Sequence, residues 1–330
     1  MTASLTGRRG VAALVGDAVR APSSHNTQPW RFRVDGDTVS LYADRARGLP
    51  ENDPDDRELV ISCGAALRNL VVSAAHHGWA AEVLAPRDDH PDHLATVTMA
   101  PAAADTLPDA ALWPAIAARR TRRGAFARRP VPDGLVAALT DAGAADGTWA
   151  KVLEASQRPM VADLVAEGSR IQFSDPRWRR ELAGWMRPRR TGDGLTVPPV
   201  VGAMTRLVVA RADLGRRMGR RDAALTTTAP LVMVLGTDED DAASWLRLGS
   251  TLQRLLLTAT TSGLQAGFVN QPCQVRSLRP ELARLLGRDN PQLVLRLGFA
   301  RGAPRPSPRR DIGEVLEESG AGSGDENRSP

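Results

Sequence analysis

An α+β protein made of two similar halves is the fold class this sequence predicts, and three observations predict it. The chain has 330 residues, room for about two domains and a sizeable core. Helix-period and strand-period stretches follow one another along it. Two long apolar helical segments also carry the same residues at the same spacing: Gly64, Leu67, Leu70, Ala74 and Gly78 recur as Gly249, Leu252, Leu255, Ala259 and Gly263, each pair 185 positions apart. The match runs on into a strand, residues 81–84 against 266–269. A duplication joins two similar halves in one chain, in the two-fold arrangement that homodimers use. Chance recurrence of glycines and leucines in two unrelated buried helices is the alternative. On the duplication reading the halves are residues 1–105 and 106–310, followed by a tail, 311–330, disordered at its end.

Taken in order, residues 7–20 have helical apolar spacing and stop at Ala21-Pro22, since proline pushes its predecessor out of the helical region. Trp30 to Val34 and Thr38 to Tyr42 alternate around Asp35-Gly36-Asp37, the pattern of a hairpin. Asp55 to His77 reads as a long helix with acids in its first turn, where they complement the helix dipole, and Gly78 closes it. Trp113 to Ala118 is a short helix. Residues 230–236 form a buried strand, and 242–262 a second long helix whose start is marked by the acid run Asp238 to Asp241. Between Trp178 and Arg221 the glycine, proline and arginine content predicts an irregular insertion or lid.

Composition narrows the function classes. Hydrophobic residues make up 42% and charged residues 25%, which excludes wholesale disorder. No uninterrupted apolar run reaches 18 residues, and the N-terminal patch is broken by Asp17 and Arg20, so neither a transmembrane helix nor a signal peptide is expected and a cytoplasmic protein without a membrane partner is. Cys63 and Cys273 are too few for a disulfide framework and read as small buried side chains. The net charge of +5 raises a nucleic-acid-binding module as the lowest alternative. Its 43 basic residues are one lysine and 42 arginines, scattered among 38 acids, so no nucleic-acid partner is expected. His76, His77, His90 and His93 lack the carboxylate or cysteine partners and spacings of a zinc site, so no metal is expected.

Three segments carry polar chemistry. Ser23 to Gln28, between Pro22 and Pro29, gathers three hydroxyls, an imidazole and two carboxamides, suited to gripping a polar ring edge or to capping the preceding helix. Arg119 to Arg123 places four guanidiniums around Thr121; these suit phosphate oxygens, or a solvated helix C-terminus. Residues 263–272 run from helix through strand to loop with two glycines, leaving amides for a ligand or merely capping the helix. No GxGxxG, Walker A or GxSxG string is present.

The segment PSSHNTQPW resembles the PSSxNxQPW loop of the nitroreductase family of flavoproteins, and RRTRR resembles that family's RRSxR motif. In an ordinary member the arginine motif comes first. Here it follows the loop by about 95 residues, and neither half holds both. With DRELVISCGAAL and the ending PQLVLRLGFA, this order resembles the two-domain, Acg-type branch. The resemblance implies the nitroreductase-like fold, with a mixed or antiparallel sheet packed by helices in each half, and an intrachain pseudo-dimer. It implies one FMN per chain, bound between the loop of one half and the arginines of the other.

On that resemblance Arg119, Thr121 and Arg123 hold the phosphate and ribityl chain, with Arg120 and Arg122 intervening. Pro22, Ser23, Ser24 and Asn26 lie against the isoalloxazine, with Gln28 and Trp30 fixing the loop. Val269, Asn270 and Gln271 offer amides near flavin N5 and O4, and Arg309 and Arg310 complete the phosphate site. Trp178 and Trp185 are candidates to stack over the ring. The chemistry implied is hydride transfer from NAD(P)H to FMN and on to a small organic acceptor, a nitroaromatic, quinone or other redox substrate, with no catalytic side chain. A protein that sequesters FMN with little turnover is the alternative. A monomer with an internal two-fold is expected, and a homodimer is compatible.

Overall fold

A computed structural model describes residues 8–86, 90–103, 106–145, 147–300, 302 and 304–318. The chain runs α1 (Arg8–Ala18), β1 (Trp30–Asp35), β2 (Thr38–Ala43), α2 (Arg57–His76), β3 (Trp79–Leu84), β4 (His93–Pro101), α3 (Trp113–Ala118) and α4 (Asp133–Ala142). It continues through β5 (Thr148–Val152), α5 (Gln157–Ser174), α6 (Pro176–Gly184), β6 (Met186–Arg187), β7 (Leu195–Thr196), α7 (Pro199–Arg211) and α8 (Gly215–Thr227). It ends with β8 (Leu231–Thr237), α9 (Ala242–Thr261), β9 (Leu264–Phe268), α10 (Gln271–Gln274), α11 (Arg279–Leu286), β10 (Pro291–Phe299) and β11 (Leu316–Glu318).

Two sheets form two similar halves. The first has the order β11-β1-β2-β4-β3 and the second β5-β8-β10-β9. Without β11 the orders correspond strand for strand, all pairs being antiparallel, and each half sends a 20-residue helix from its second strand to its third. The helices α2 and α9 cross on two glycines. A Cβ on Gly64 would lie 2.1 Å from the Leu246 carbonyl oxygen, and one on Gly249 would lie 2.0 Å from that of Ile61. Ile61 and Leu246 are themselves 185 positions apart, so the contact maps onto itself, as an isologous interface does.

That crossing explains the hydrophobicity of α2. By length and composition it is apolar enough to span a membrane, yet it is mostly buried inside the protein. One side meets the first core (Val39, Leu41, Cys63, Leu67 and Leu70), while the other faces α9. A helix covered on both sides needs no polar face. In α9, by contrast, Leu248, Leu252, Leu255, Leu256 and Ala259 form a stripe over Met233, Leu235 and Leu295 of the second sheet.

The halves differ most between their first two strands. A turn at Gly36, φ 58°, joins β1 to β2, whereas α5 to α8 intervene between β5 and β8. Residues 178–221, expected to be irregular, are largely helical. The glycines that argued against order allow close packing instead: Cβ atoms at Gly215 and Gly219 of α8 would fall 2.9 Å from Arg170 Cα and 2.6 Å from the Ala166 carbonyl of α5. Beyond β10 the chain crosses back to the first half. There β11 pairs in parallel with β1, Phe32 N donating to Val315 O at 2.7 Å, and Val315 is fully buried. Residues 319–330, read as a disordered end, lie outside the described residues.

Candidate functional site

A cavity of about 370 Å³ opens between the two halves. The first half contributes the loop at Pro22 to Asn26 and the start of α2. The second contributes Arg119, Thr121, Arg122 and Arg123, the β9–α10 junction, and α5, α6 and α8 from the insertion.

The loop is held in an uncommon backbone shape. His25, Asn26 and Gln28 have φ of 47°, 57° and 54°, the left-handed region that non-glycine residues avoid unless surroundings impose it. The surroundings do impose it. Gln28 N donates to Ser23 Oγ at 3.0 Å, and Gln28 Nε2 donates to Gly192 O at 2.9 Å. Asn26 Nδ2 donates to the Gly194 and Pro308 carbonyls, both at 3.2 Å, and Asn26 Oδ1 accepts from Arg309 at 3.0 Å. The insertion and the C-terminal strap therefore clamp the loop. Although Asn26 lines the cavity, its carboxamide is committed to the clamp.

The basic residues separate by environment. Arg119 is buried and donates only at 3.3 Å, to Thr121 Oγ1 and Arg20 O. Arg309 donates to Arg20 O at 2.9 Å and Ala21 O at 3.0 Å. The two guanidiniums thus meet at one carbonyl. Both Nε atoms are buried without a partner, and neither side chain has an ion pair among the described residues. Burial, reinforced by neighbouring arginines, lowers Arg119 to about 10 and Arg309 to about 9. Two neighbouring cations, Arg119 buried and Arg309 partly buried, are costly without a counter-ion, and an anion of matching geometry relieves the cost.

Arg120 and Arg310 do not join them. Arg120 donates to the Ala117 and Arg119 carbonyls at 2.6 and 2.8 Å, closing α3 as a C-terminal cation does. Arg310 lies against Asp44 and Glu314 at 3.4 and 3.3 Å and donates to Gln28 O, so it too holds the loop. Neither lines the cavity, nor do Gln28 and Val269. Val269 is buried and its amide donates to Val294 O at 3.0 Å, so it is not available near a ring; the register of β10 takes it. Pro22, Ser23, Ser24, Asn26, Arg119, Thr121, Arg123, Asn270, Gln271 and Arg309 do line it. Trp178 also reaches the wall, its Nε1 donating to Asn52 at 3.0 Å, while Trp185 lies between Arg47 and Arg187 instead.

Two wall residues had no role of their own in the sequence reading. Glu58, in the first turn of α2, is an ordinary helix-start acid by position, but it is buried and accepts from Ser24 at 2.5 Å, from Gln274 at 3.0 Å and from Asn270 at 3.2 Å. It ties the loop of one half to α10 of the other. His25 occupies a motif position of unspecified identity. Its Nδ1 is buried without a partner, and burial, then Arg123, lower its pKa to about 4, so the ring is neutral at neutral pH. Cys63 and Cys273 are both buried, and burial pushes Cys273 up to about 12, so neither is a reactive thiolate. His76 stacks on Trp113 with centroids 3.8 Å apart, and no group of three potential metal ligands comes together among the described residues.

No family model matches the chain. It is 34% identical over 314 residues to the Mycobacterium tuberculosis protein named "Putative NAD(P)H nitroreductase Rv3131", spanning 91% of this chain and 89% of that one. It is 32% identical over 313 residues to "Putative NAD(P)H nitroreductase acg" of the same organism, spanning 91% and 92%. Among solved structures, the FMN-dependent nitroreductase NfnB from Mycobacterium smegmatis, in complex with NADPH, matches at 19% identity with a TM-score of 0.42, over 62% of this chain and 96% of that one.

Proposed function

Because the chain belongs to the nitroreductase family, in company with the Acg protein, we propose that it is an FMN-dependent oxidoreductase taking electrons from NAD(P)H and passing them to a small organic acceptor. The observation that carries this reading is the pair Arg119 and Arg309, without an ion pair among the described residues and with buried, unpartnered Nε atoms, in the wall of the inter-half cavity. A phosphate monoester fits that pair by charge, by its supply of acceptor oxygens and by the orphaned Nε donors.

Arg119, Thr121, Arg123 and Arg309 would hold the phosphate and ribityl chain. Ser23, Ser24, His25, Asn270 and Gln271 would border the ring. When bound, FMN supplies two-electron hydride chemistry, leaving the protein to bind, orient and tune. Glu58 accepts from three side chains and is a strut joining the halves. His25 is neutral and offers a hydrogen bond without a charge. Asn26, Gln28 and Arg310 keep the loop in its left-handed turns. On this reading the chain holds one site, since its loop motif and arginine motif each occur once. Nitroaromatics and quinones are the acceptor classes to screen.

One observation favours a second reading, FMN sequestration with little turnover. The insertion bonds directly to the ring-bordering loop through Gly192 and Gly194, and it supplies Trp178, Leu195, Met218 and Arg221 to the cavity wall. A wall so placed acts as a lid against nicotinamide. Anaerobic mixing of the flavin-loaded protein with NADPH, then NADH, separates the two: rapid bleaching of the visible flavin band supports the oxidoreductase. A band that persists with both donors but yields to dithionite supports sequestration.

A further inference from the structure

The segment that walls the cavity carries a second surface, facing away from it. Residues 177–221 contain twelve arginines and three acids, a surplus of nine positive charges. Since the whole chain is +5, the other 285 residues carry −4. Ten of the twelve arginines are exposed. Within this segment Gly202 and Val209 are the buried side of α7, which packs on α6, with Gly202 against Val197 just before the helix. Its opposite side presents Val201, Met204, Leu207 and Val208, which are 49, 64, 46 and 43% exposed. None of the four lines the cavity. Arg206 and Arg211 on the same helix are exposed and have no ion pair among the described residues.

We propose that α7 and its arginine-rich surroundings form a docking surface for an anionic lipid bilayer, on which the helix lies in the interfacial plane. Thirteen residues of helix span about 20 Å, too short to cross a bilayer but suited to lying along one. An exposed aliphatic stripe within a segment rich in exposed arginines offers acyl-boundary contact together with phosphate contact. Charge complementarity selects this partner, because the positive charge concentrates in the segment that carries the stripe while the rest of the chain is net acidic. A nucleic acid would use the arginines but leave four aliphatic side chains in water. The sequence reading expected no membrane partner because it looked for a spanning run. The exposure of α7, which only the packing reveals, lay outside that search.

The test is co-sedimentation of the full-length protein with phosphatidylcholine vesicles, with and without phosphatidylglycerol. Partition should rise by about tenfold or more on anionic vesicles, and fall back as salt shortens the Debye length from roughly 10 to roughly 3 Å. Met204→Glu with Leu207→Glu should abolish it, and Arg206→Gln with Arg211→Gln should weaken it, while far-UV dichroism and melting temperature stay unchanged. Equal partition on neutral and anionic vesicles, or an unaffected Met204→Glu/Leu207→Glu protein, would overturn the proposal. So would a concentration-dependent dimer that the glutamate pair dissolves, which assigns the stripe to a second copy. Tight binding to single-stranded RNA that the glutamate pair leaves intact also counts against it.

Discussion

At the scale of single residues, the site rests on cations set in the cavity wall without a carboxylate beside them. Arg119 and Arg309 share the Arg20 carbonyl and face no carboxylate, so each gains most from a bound dianion. Replacing either with alanine should weaken FMN retention by about 1.5–3 kcal/mol, the usual worth of a charge-assisted hydrogen bond. Fluorescence titration of apoprotein with FMN reads that loss, and Arg120→Ala, whose guanidinium caps α3, should leave affinity unchanged. Equal losses for all three would show that general basicity, not this pair, holds the ligand.

His25 makes a second residue-scale prediction. Its folded pKa, about 4, lies below the ordinary 6.5, so between those values the unfolded chain binds the extra proton. The associated stability is present above pH 6.5 and is lost as pH falls toward 4. His25→Asn, which tolerates the left-handed backbone, should flatten the fall in apoprotein stability over that window. Urea denaturation from pH 7 to pH 4 checks it; parallel curves for the two proteins would sink the assignment.

Elements are governed by the α2–α9 crossing. Gly64→Ala and Gly249→Ala each push a methyl into a backbone carbonyl about 2 Å away, which side-chain rotation cannot relieve. Overpacking of this kind costs about 1–3 kcal/mol or more. The two substitutions should destabilise the protein to a similar degree, because each meets the other's equivalent contact. Thermal melts compare them directly, and a harmless alanine at either position would show that the helices spread freely. These elements were also the most legible. The 185-residue offset in Gly64, Leu67, Leu70 and Ala74 is a packing record, since a close helix crossing tolerates few residue types. Helices α5 to α8 were not legible, because Gly215 and Gly219 look like breakers until α5 is beside them.

For the whole molecule, the C-terminal strap is the feature that joins parts distant in sequence. It runs from β10 past Asn26 and Gln28 and ends as β11 beside β1. A chain ending at Arg310 keeps both proposed phosphate ligands' neighbours but loses buried Val315 and the parallel pairing. It should melt lower and lose FMN more readily, by first-half loosening, than the full chain. If flavin off-rate and melting temperature are both unchanged, the strap is dispensable.

Much about this protein was determined by the sequence alone: the two long helices, the β1–β2 hairpin, and the grouping of PSSHNTQPW and RRTRR as its chemically loaded segments. Those signals are local, carried by period, caps and residue type within a few turns. Tertiary structure decided which arginines face the cavity. Arg119 and Arg309 line it while Arg120 and Arg310 do not, and no local pattern encodes that difference. It also decided that Val269 is spent on β10, that Glu58 is a strut between halves, and that α7 turns its apolar side outward. Burial and pairing are properties of surfaces brought together from distant parts of the chain, and they exist only once the halves have closed.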